Sequence, residues 1–344
     1  MPRVIALGDI NVDVIAHIPY YPQPGGGGVA RQARLYSGGS AANTALVLAR
    51  CGIDVGLIAC VGRDALAAQT LVELTEAGVD GRQIQYDPEL MTGVMFVAVT
   101  PDGERTMIGY RGANAKLDPA LLQPAEIAAA SVLHISGYAL LESPQRDAAH
   151  RALDIARQAG LKVSLDVGVE VAQCLGREIR SLLPLVDWVF PNELEAEHLV
   201  GHAPGPQAVE QFLSYGLEAV ILKQGELGCV IGTREGVFSV PAFKVEVEDT
   251  TGAGDSFDAG FIAGRLNGLS WRSSGLLANA LGGLAASVVG AGESLPGMAE
   301  ALEFLEQQAA KRVWQDWQGE MQAVLVLLGQ DSEPEARSSD KVPI

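Results

Sequence analysis

The sequence predicts an α/β fold: a three-layer α/β/α core around a central, mostly parallel sheet, with a small β-sheet lid. Two observations predict it. From about residue 131, short apolar strand-like runs (132–135, 163–166, 188–190, 219–223) alternate with helix-period runs (144–159, 177–183, 193–200, 206–215). That rhythm implies a parallel sheet covered on both faces. Earlier in the chain, segments near 13–37 and 91–111 break the rhythm. The second of these carries a hairpin signal, Pro101-Asp102-Gly103, between strand-like runs at 93–99 and 104–110. Both segments are read as antiparallel pieces of a small sheet that covers the core.

Taken in order, 4–7 is a short buried strand ending in Gly8-Asp9, followed by Asn11-Val12-Asp13 and a Pro- and Gly-rich loop over 19–28. Gly38-Gly39-Ser40 leads into an Ala/Leu helix at 41–50, stopped by Gly52. A strand at 55–61 and a helix at 66–77, stopped by Gly78, come next. Beyond the alternating region, apolar residues alternate over 238–247, which reads as a strand. It runs into Asp249-Thr250-Thr251-Gly252-Ala253-Gly254-Asp255 and then a helix-period run, Phe257, Phe261, Ile262 and Leu266. An Ala-rich helix is expected at 271–289, 299–328 is helix-prone, and 331–344 is polar enough to be read as disordered.

Composition narrows the function. The 344 residues carry 24 basic and 42 acidic side chains, a net charge of −18, which argues against nucleic acid or an anionic membrane as partner. Cys51, Cys60, Cys174 and Cys229 are widely spaced and read as reduced thiols. The amino terminus lacks the apolar core of a signal peptide and no apolar run is long enough to span a bilayer, so a cytoplasmic location is expected. No G-x-x-x-x-G-K-[S/T] occurs, which excludes a Walker-type phosphate loop.

The chemistry concentrates at 249–257. A strand–Gly loop–helix junction presents backbone N–H groups at the positive end of a helix and suits an anion. Asp255 then sets a carboxylate beside that anion site. A base for a hydroxyl attacking a phosphoryl group would need it there. The plainer reading is a Gly-rich turn with an Asp in the first helical turn.

The stretch resembles the D-T-x-G-A-G-D signature of the ribokinase-like, phosphofructokinase-B-type carbohydrate kinases. The resemblance implies that Asp255 is the base and that the amides of Gly252, Ala253 and Gly254 form the anion hole. Gly38-Gly39-x-x-x-Asn43 resembles the family's sugar-site signature, and Asp13 and Glu142 match its sugar-binding positions. Asn192 and Glu195 resemble its N-x-x-E motif, which organises Mg²⁺ and its waters near the phosphates. Lys223, Gly225 and Gly228 resemble the loop on the nucleotide side, and Asn279 the Asn near the adenine. Asp249, Thr251, Ala285, Val288, Gly290 and Ser294 match positions that hold a monovalent cation, K⁺, in ribokinases. Read without the resemblance, Asp13 is a loop cap, Asn43 a solvated Asn and Glu142 a surface Glu. Lys223 is then a strand-end Lys and Asn192 a helix cap.

Three features depart from the pattern: Ser40 where some ribokinases carry Lys, Asp166-Val167-Gly168 where relatives carry Asp-Pro-Asn or Asn-Pro-Ala, and the chain beyond about 312. The implied organisation is a kinase domain over 1–312, with the lid segments inserted, and a helical extension and polar tail over 313–344. The expected reaction is ATP-dependent phosphorylation of a primary hydroxyl on a small sugar, ribose first. Kinases of 2-keto-3-deoxygluconate, fructose or a nucleoside are the alternatives within the family, and a non-catalytic sugar or nucleotide sensor the alternative outside it. A keto-acid sugar would need a cation, for which Arg105 or Arg111 is placed. The helix dipole is expected to keep Asp255 ionised and therefore a weak base, and a homodimer through the lid is a further expectation.

Overall fold

The computed structural model describes residues 3–102 and 104–330. Its strands are β1 (Arg3–Leu7), β2 (Asn11–His17), β3 (Gln32–Gly38), β4 (Asp54–Gly62), β5 (Asp80–Asp87), β6 (Gly93–Val99), β7 (Arg105–Tyr110), β8 (Val132–Ser136), β9 (Lys162–Asp166), β10 (Trp188–Phe190), β11 (Ala219–Lys223), β12 (Cys229–Thr233) and β13 (Gly236–Val240). The α-helices are α1 (Ser40–Arg50), α2 (Ala65–Glu76), α3 (Pro124–Ala128), α4 (Gln145–Ala159), α5 (Val169–Leu182), α6 (Glu193–Val200), α7 (Gly205–Leu213), α8 (Ala253–Leu266), α9 (Trp271–Ala286), α10 (Met298–Ala309) and α11 (Gln318–Gln330).

Nine strands form the main sheet in the order β13-β12-β11-β10-β9-β8-β1-β4-β5. Pairing is parallel from β5 across to β11 and antiparallel for β11–β12 and β12–β13. The central strands are buried at nearly every position and mostly apolar, because both faces are covered. In β1, Val4 and Ala6 join the core on one face, with residues of α1, α8 and α9; Ile5 and Leu7 join the core on the other, with residues of α4, α5 and α7. The aromatic centre of the first core is Phe261, edge-to-face with Phe190 at 5.5 Å and Trp188 at 6.3 Å and stacked on Trp271. This fixes the direction of α8 and so of the carboxylate at its start.

The lid is a second sheet, β3-β2-β6-β7. Its β2–β3 and β6–β7 pairs are antiparallel, whereas β2–β6 is parallel, so the two expected hairpins join side by side into one four-stranded sheet. Two other expectations change. The alternating run 238–247 is strand only to Val240; beyond it the chain leaves the sheet and lines a cavity, so its apolar residues face a pocket instead of a second ladder. β5, α5 from Val169 and β12 were not expected: no residue of β5 is fully buried, and it lacks a continuous apolar run. The chain after 312 packs back on the core through buried Trp314, Met321, Val324 and Leu328. The segment 331–344, expected to be disordered, lies outside the described residues. Among the described residues no helix is long and apolar enough to cross a membrane.

Candidate active site

The site forms where the carboxyl ends of β1, β8, β9 and β11 face the start of α8 and the underside of the lid, the general position for ligands in an open α/β sheet. α8 begins at Ala253 with Gly252 as its cap residue. The α8 amides at Ala253, Gly254 and Asp255 lack helical acceptors by geometry. In this state the Ala253 N–H is turned onto Thr250 O at 3.2 Å.

Asp255 is held by α1, where Asn43 Nδ2 donates to Asp255 Oδ2 at 2.8 Å. Burial, with Asp166 nearby, pushes the Asp255 carboxyl up to about 6 despite its place in the first turn of a helix. Desolvation thus outweighs the helix dipole: the carboxylate still ionises near neutral pH, as expected, but it is a stronger base than the dipole alone implies. Asp13 is 6% exposed, on the core-facing side of lid strand β2. Burial first, then Asp255, raises it to about 7. The two carboxylates thus face the same desolvated space from lid and core.

The two signature glycines shape that space. A Cβ at Gly38 would meet the Asp13 carboxylate at 2.6 Å, and one at Gly39, where φ is +98°, would sit 2.3 Å from Asp9 O. Glu142 stands at the rim, half exposed, with Oε1 3.6 Å from Arg111 Nη1. Arg111 also donates to Asp9 Oδ1 at 3.2 Å and to Gln145 Oε1. Its Nε and Nη1 are buried without a hydrogen-bond partner. Sequence reasoning left out Asp9, Gln145 and Asn114, which ties β2 down through Ile10 N at 2.9 Å and Asn11 Oδ1 at 2.8 Å.

Beside the sugar-side residues lies a cavity of about 580 Å³, lined by Lys223, Gly225, Gly228, Asn279, Phe243, Ala253 and Gly254 among others. The residues expected on the nucleotide side thus meet the anion-hole loop. Asn279 Nδ2 donates to Val240 O at 3.1 Å and Pro241 O at 3.0 Å, fixing the point where the chain leaves β13. Lys223 is not a solvated strand end. Its Nζ donates to Asp166 Oδ1 at 2.8 Å and to the fully buried Asp258 at 3.2 Å. Burial would lower the ammonium, but these carboxylates outweigh it and hold Lys223 above its usual range. A Cβ on Gly254 would lie 3.6 Å from the same Nζ, so the ammonium borders the anion hole.

Asn192 and Glu195 form a capping box at the start of α6: Glu195 N donates to Asn192 Oδ1, and Asn192 N and Nδ2 donate to the Glu195 carboxylate, all at 2.8–2.9 Å. Asn192 also bridges to Lys223 across the sheet end. Glu195 is 4% exposed, and burial lifts it to about 7. Asp166, which the sequence marked only as a departure, closes the group; burial raises it, Lys223 more than offsets this, and it ends below its usual value. Ser40 Oγ donates to Asp166 at 3.4 Å.

Of the residues matched to a monovalent cation site, Asp249, Thr251 and Gly290 meet. Asp249 Oδ2 accepts from Gly290 N at 2.9 Å and Oδ1 from Thr251 N at 2.8 Å. Lid residue Arg105 reaches the same carboxylate and donates to Thr251 Oγ1 at 2.6 Å. Ala285, Val288 and Ser294 lie on the segment behind it, where Val288 N and Ser287 N meet the last carbonyls of α9.

The chain as a whole is similar to known proteins. The family model for pfkB family carbohydrate kinases matches residues 1–298. The chain belongs to that family. It is 31% identical over 307 residues to the ribokinase of Haemophilus influenzae, covering 87% of this chain and 97% of that one. It is likewise 31% identical over 255 residues to the 2-dehydro-3-deoxygluconokinase of Bacillus subtilis (71% and 78% covered). An Escherichia coli structure described as a ribokinase II, in complex with ATP and Mg²⁺, superposes with a TM-score of 0.80 at 29% identity, covering 89% of this chain and all of that one. The protein is a carbohydrate kinase, and the likeness to an ATP complex supports ATP use.

Proposed function

We propose that this kinase transfers the γ-phosphoryl group of ATP to a primary hydroxyl of a ribose-like sugar. The observation that carries the reading is the meeting of Asp13 from the lid, Asn43 from α1 and Asp255 from α8 beside a helix start that opens on the 580 Å³ cavity. The sugar lies among Asp13, Gly39, Asn43 and Glu142, where carboxylates and an amide can pair with hydroxyls. Asp255 accepts the hydroxyl proton, and Asn43 keeps its carboxylate in line. The amides of 252–254 and Lys223 face the phosphate oxygens as charge develops on them.

Mg²⁺ fits the donor set. Asp166, Glu195, Asp255 and Asp258 surround one ammonium, Lys223, and such an excess of carboxylate would repel ATP unless a cation screened it. When bound to the nucleotide, Mg²⁺ neutralises phosphate charge; Glu195 and Asp166 are the residues that would hold its waters. K⁺ is proposed as a second positive charge at Asp249, with the 285–294 segment behind it.

A homodimer through the lid is supported by the lid's outer face. Leu35, Phe96, Ile108 and Tyr110 are between 44% and 63% exposed there, with Phe96 paired to Ile108.

A second reading, a keto-acid sugar, is favoured by one observation: beside the sugar residues the buried Nε of Arg111 has no hydrogen-bond partner and its Nη1 has only Glu142 at 3.6 Å. ADP release measured over ribose, fructose, 2-keto-3-deoxygluconate and nucleosides separates the readings. Ribose should give the highest kcat/KM. A sugar acid preferred by more than tenfold would replace ribose, and turnover of none of them would overturn the assigned reaction.

A further inference from the structure

The cavity wall opposite the anion hole is held in place by a part of the chain that the family match does not include. After Val240 the chain leaves the sheet, and 241–248 has no regular secondary structure, so no strand ladder fixes its side chains. Phe243 of this segment nevertheless lines the cavity and is 4% exposed. What holds its ring is aromatic: Phe304 edge-to-face at 5.2 Å, and Trp314 tilted over it at 4.3 Å.

Trp314 lies beyond the matched residues 1–298, and the Haemophilus ribokinase is spanned almost completely by only 87% of this chain. The segment is firmly seated. Trp314 is 5% exposed and its N–H donates to Lys311 O at 3.1 Å. Met321, Val324 and Leu328 of α11 are fully buried in the core under α9 and α10. Arg272 of α9 binds Glu320 at 2.9 Å and lies over the Trp317 ring.

We propose that the C-terminal segment 312–330 is a positioning device for the nucleotide, with Trp314 pressing Phe243 into the wall that receives the base. The cavity is polar at its Lys223–Gly254 end and apolar where Phe243, Val245, Val247 and Ala286 meet. A triphosphate therefore directs its flat base toward Phe243. A ring set on an irregular segment recognises a base only if something behind it holds its plane. Here that support comes from Trp314, which lies beyond the residues the family model matches.

The inference rests on reading the cavity as the nucleotide site, and the test separates the two. In the full-length kinase, Trp314→Ala should raise KM for ATP by roughly tenfold, the scale of one lost ring contact. KM for the sugar and kcat should stay within about twofold. Trp314→Phe, which keeps a flat ring, should restore most of the affinity, and Trp314→Leu serves as the variant if the alanine chain does not fold. Gly283→Leu, which points a side chain into the cavity past Val245, tests the cavity itself. A raised KM for ATP in Gly283→Leu beside an unchanged one in Trp314→Ala and Trp314→Leu overturns the buttress and keeps the nucleotide site. No effect in any of the variants overturns both. Equal losses in sugar and ATP affinity in the Trp314 variants would mean general loosening and also overturn the proposal.

Discussion

Asp255→Asn should make the enzyme inactive and more stable at the same time. The carboxyl is pushed from its ordinary 3.8 to about 6 by burial and by Asp166. At 1.36 kcal/mol per pH unit, an ionised Asp255 costs the folded state about 3 kcal/mol at pH 7.5. The sign follows from proton binding: the folded state holds the proton more tightly than the unfolded chain, so stability falls as pH rises from about 4 through 6. The amide of Asn keeps the shape and can accept from Asn43 Nδ2, but it has no charge to bury. The gain should therefore be full above pH 7, about half as large at pH 5 and gone near pH 3.5. It should also relieve Asp13, whose carboxyl is raised partly by Asp255. For a chain of this size about 3 kcal/mol corresponds to roughly 5 °C in Tm. The assay is calorimetric melting of both proteins, without ligands, at pH 7.5, 6 and 5, alongside kcat, which should drop about 10²–10⁴-fold. A variant that melts at or below the wild type at pH 7.5, or whose advantage does not shrink toward pH 5, would refute the claim that burial of this carboxylate is a cost tolerated for catalysis.

The same shifts predict that kcat/KM for the sugar rises with pH through apparent values between about 6 and 7, which belong to the Asp255–Asp13 pair jointly; a profile still flat at pH 5 would sink the assignment. Arg105→Ala should lower kcat at least tenfold, even with a neutral sugar, because the lid loses its contact with Asp249 and Thr251. Exchanging Na⁺ for K⁺ at matched ionic strength should then raise the rate of this variant more than that of the wild type, and equal rates in both salts for both proteins would remove K⁺ from the site. Ile108→Glu should convert a dimer to a monomer in light scattering, whereas a wild type that is already monomeric would discard the lid interface.

Much of this site was legible because its residues are local. Asp249 to Asp255 span one loop and helix start, Gly38 to Asn43 another and Asn192 to Glu195 one capping box, so short motifs resembling the family's are enough to mark them. What was not legible depends on pairing across the chain. Arg105 meets Asp249 across 144 positions, Asn43 meets Asp255 across 212, and Asp166 becomes a site residue only because β9 and β11 deliver it to Lys223. The two arginines show the consequence. Both were available in the sequence as cations for a keto-acid, but Arg105 is bound to the anion-hole loop, and Arg111 to Asp9 and Gln145. Alanine at either position would now cost activity with any sugar, so the substrate must be read from a substrate panel. The raised pKa of Asp255 was hidden for the same reason: the helix dipole is visible in sequence, but the desolvation that overrides it is not.

The arrangement also explains why the two halves of the chemistry are supplied by different elements. Asp13 and Arg105 ride on one lid sheet, Asp13 on β2 and Arg105 at the start of β7, with β6 between them. In the proposed reaction Asp13 faces the sugar and Arg105 the loop at the start of α8. A ladder of backbone hydrogen bonds joins them, so a shift of β2 on sugar binding would be felt at Arg105 and its contact with Asp249. In the proposed reaction, a sugar bound to Asp13 would thereby steady the contact of Arg105 with Asp249 and Thr251, which would favour transfer to the sugar over hydrolysis.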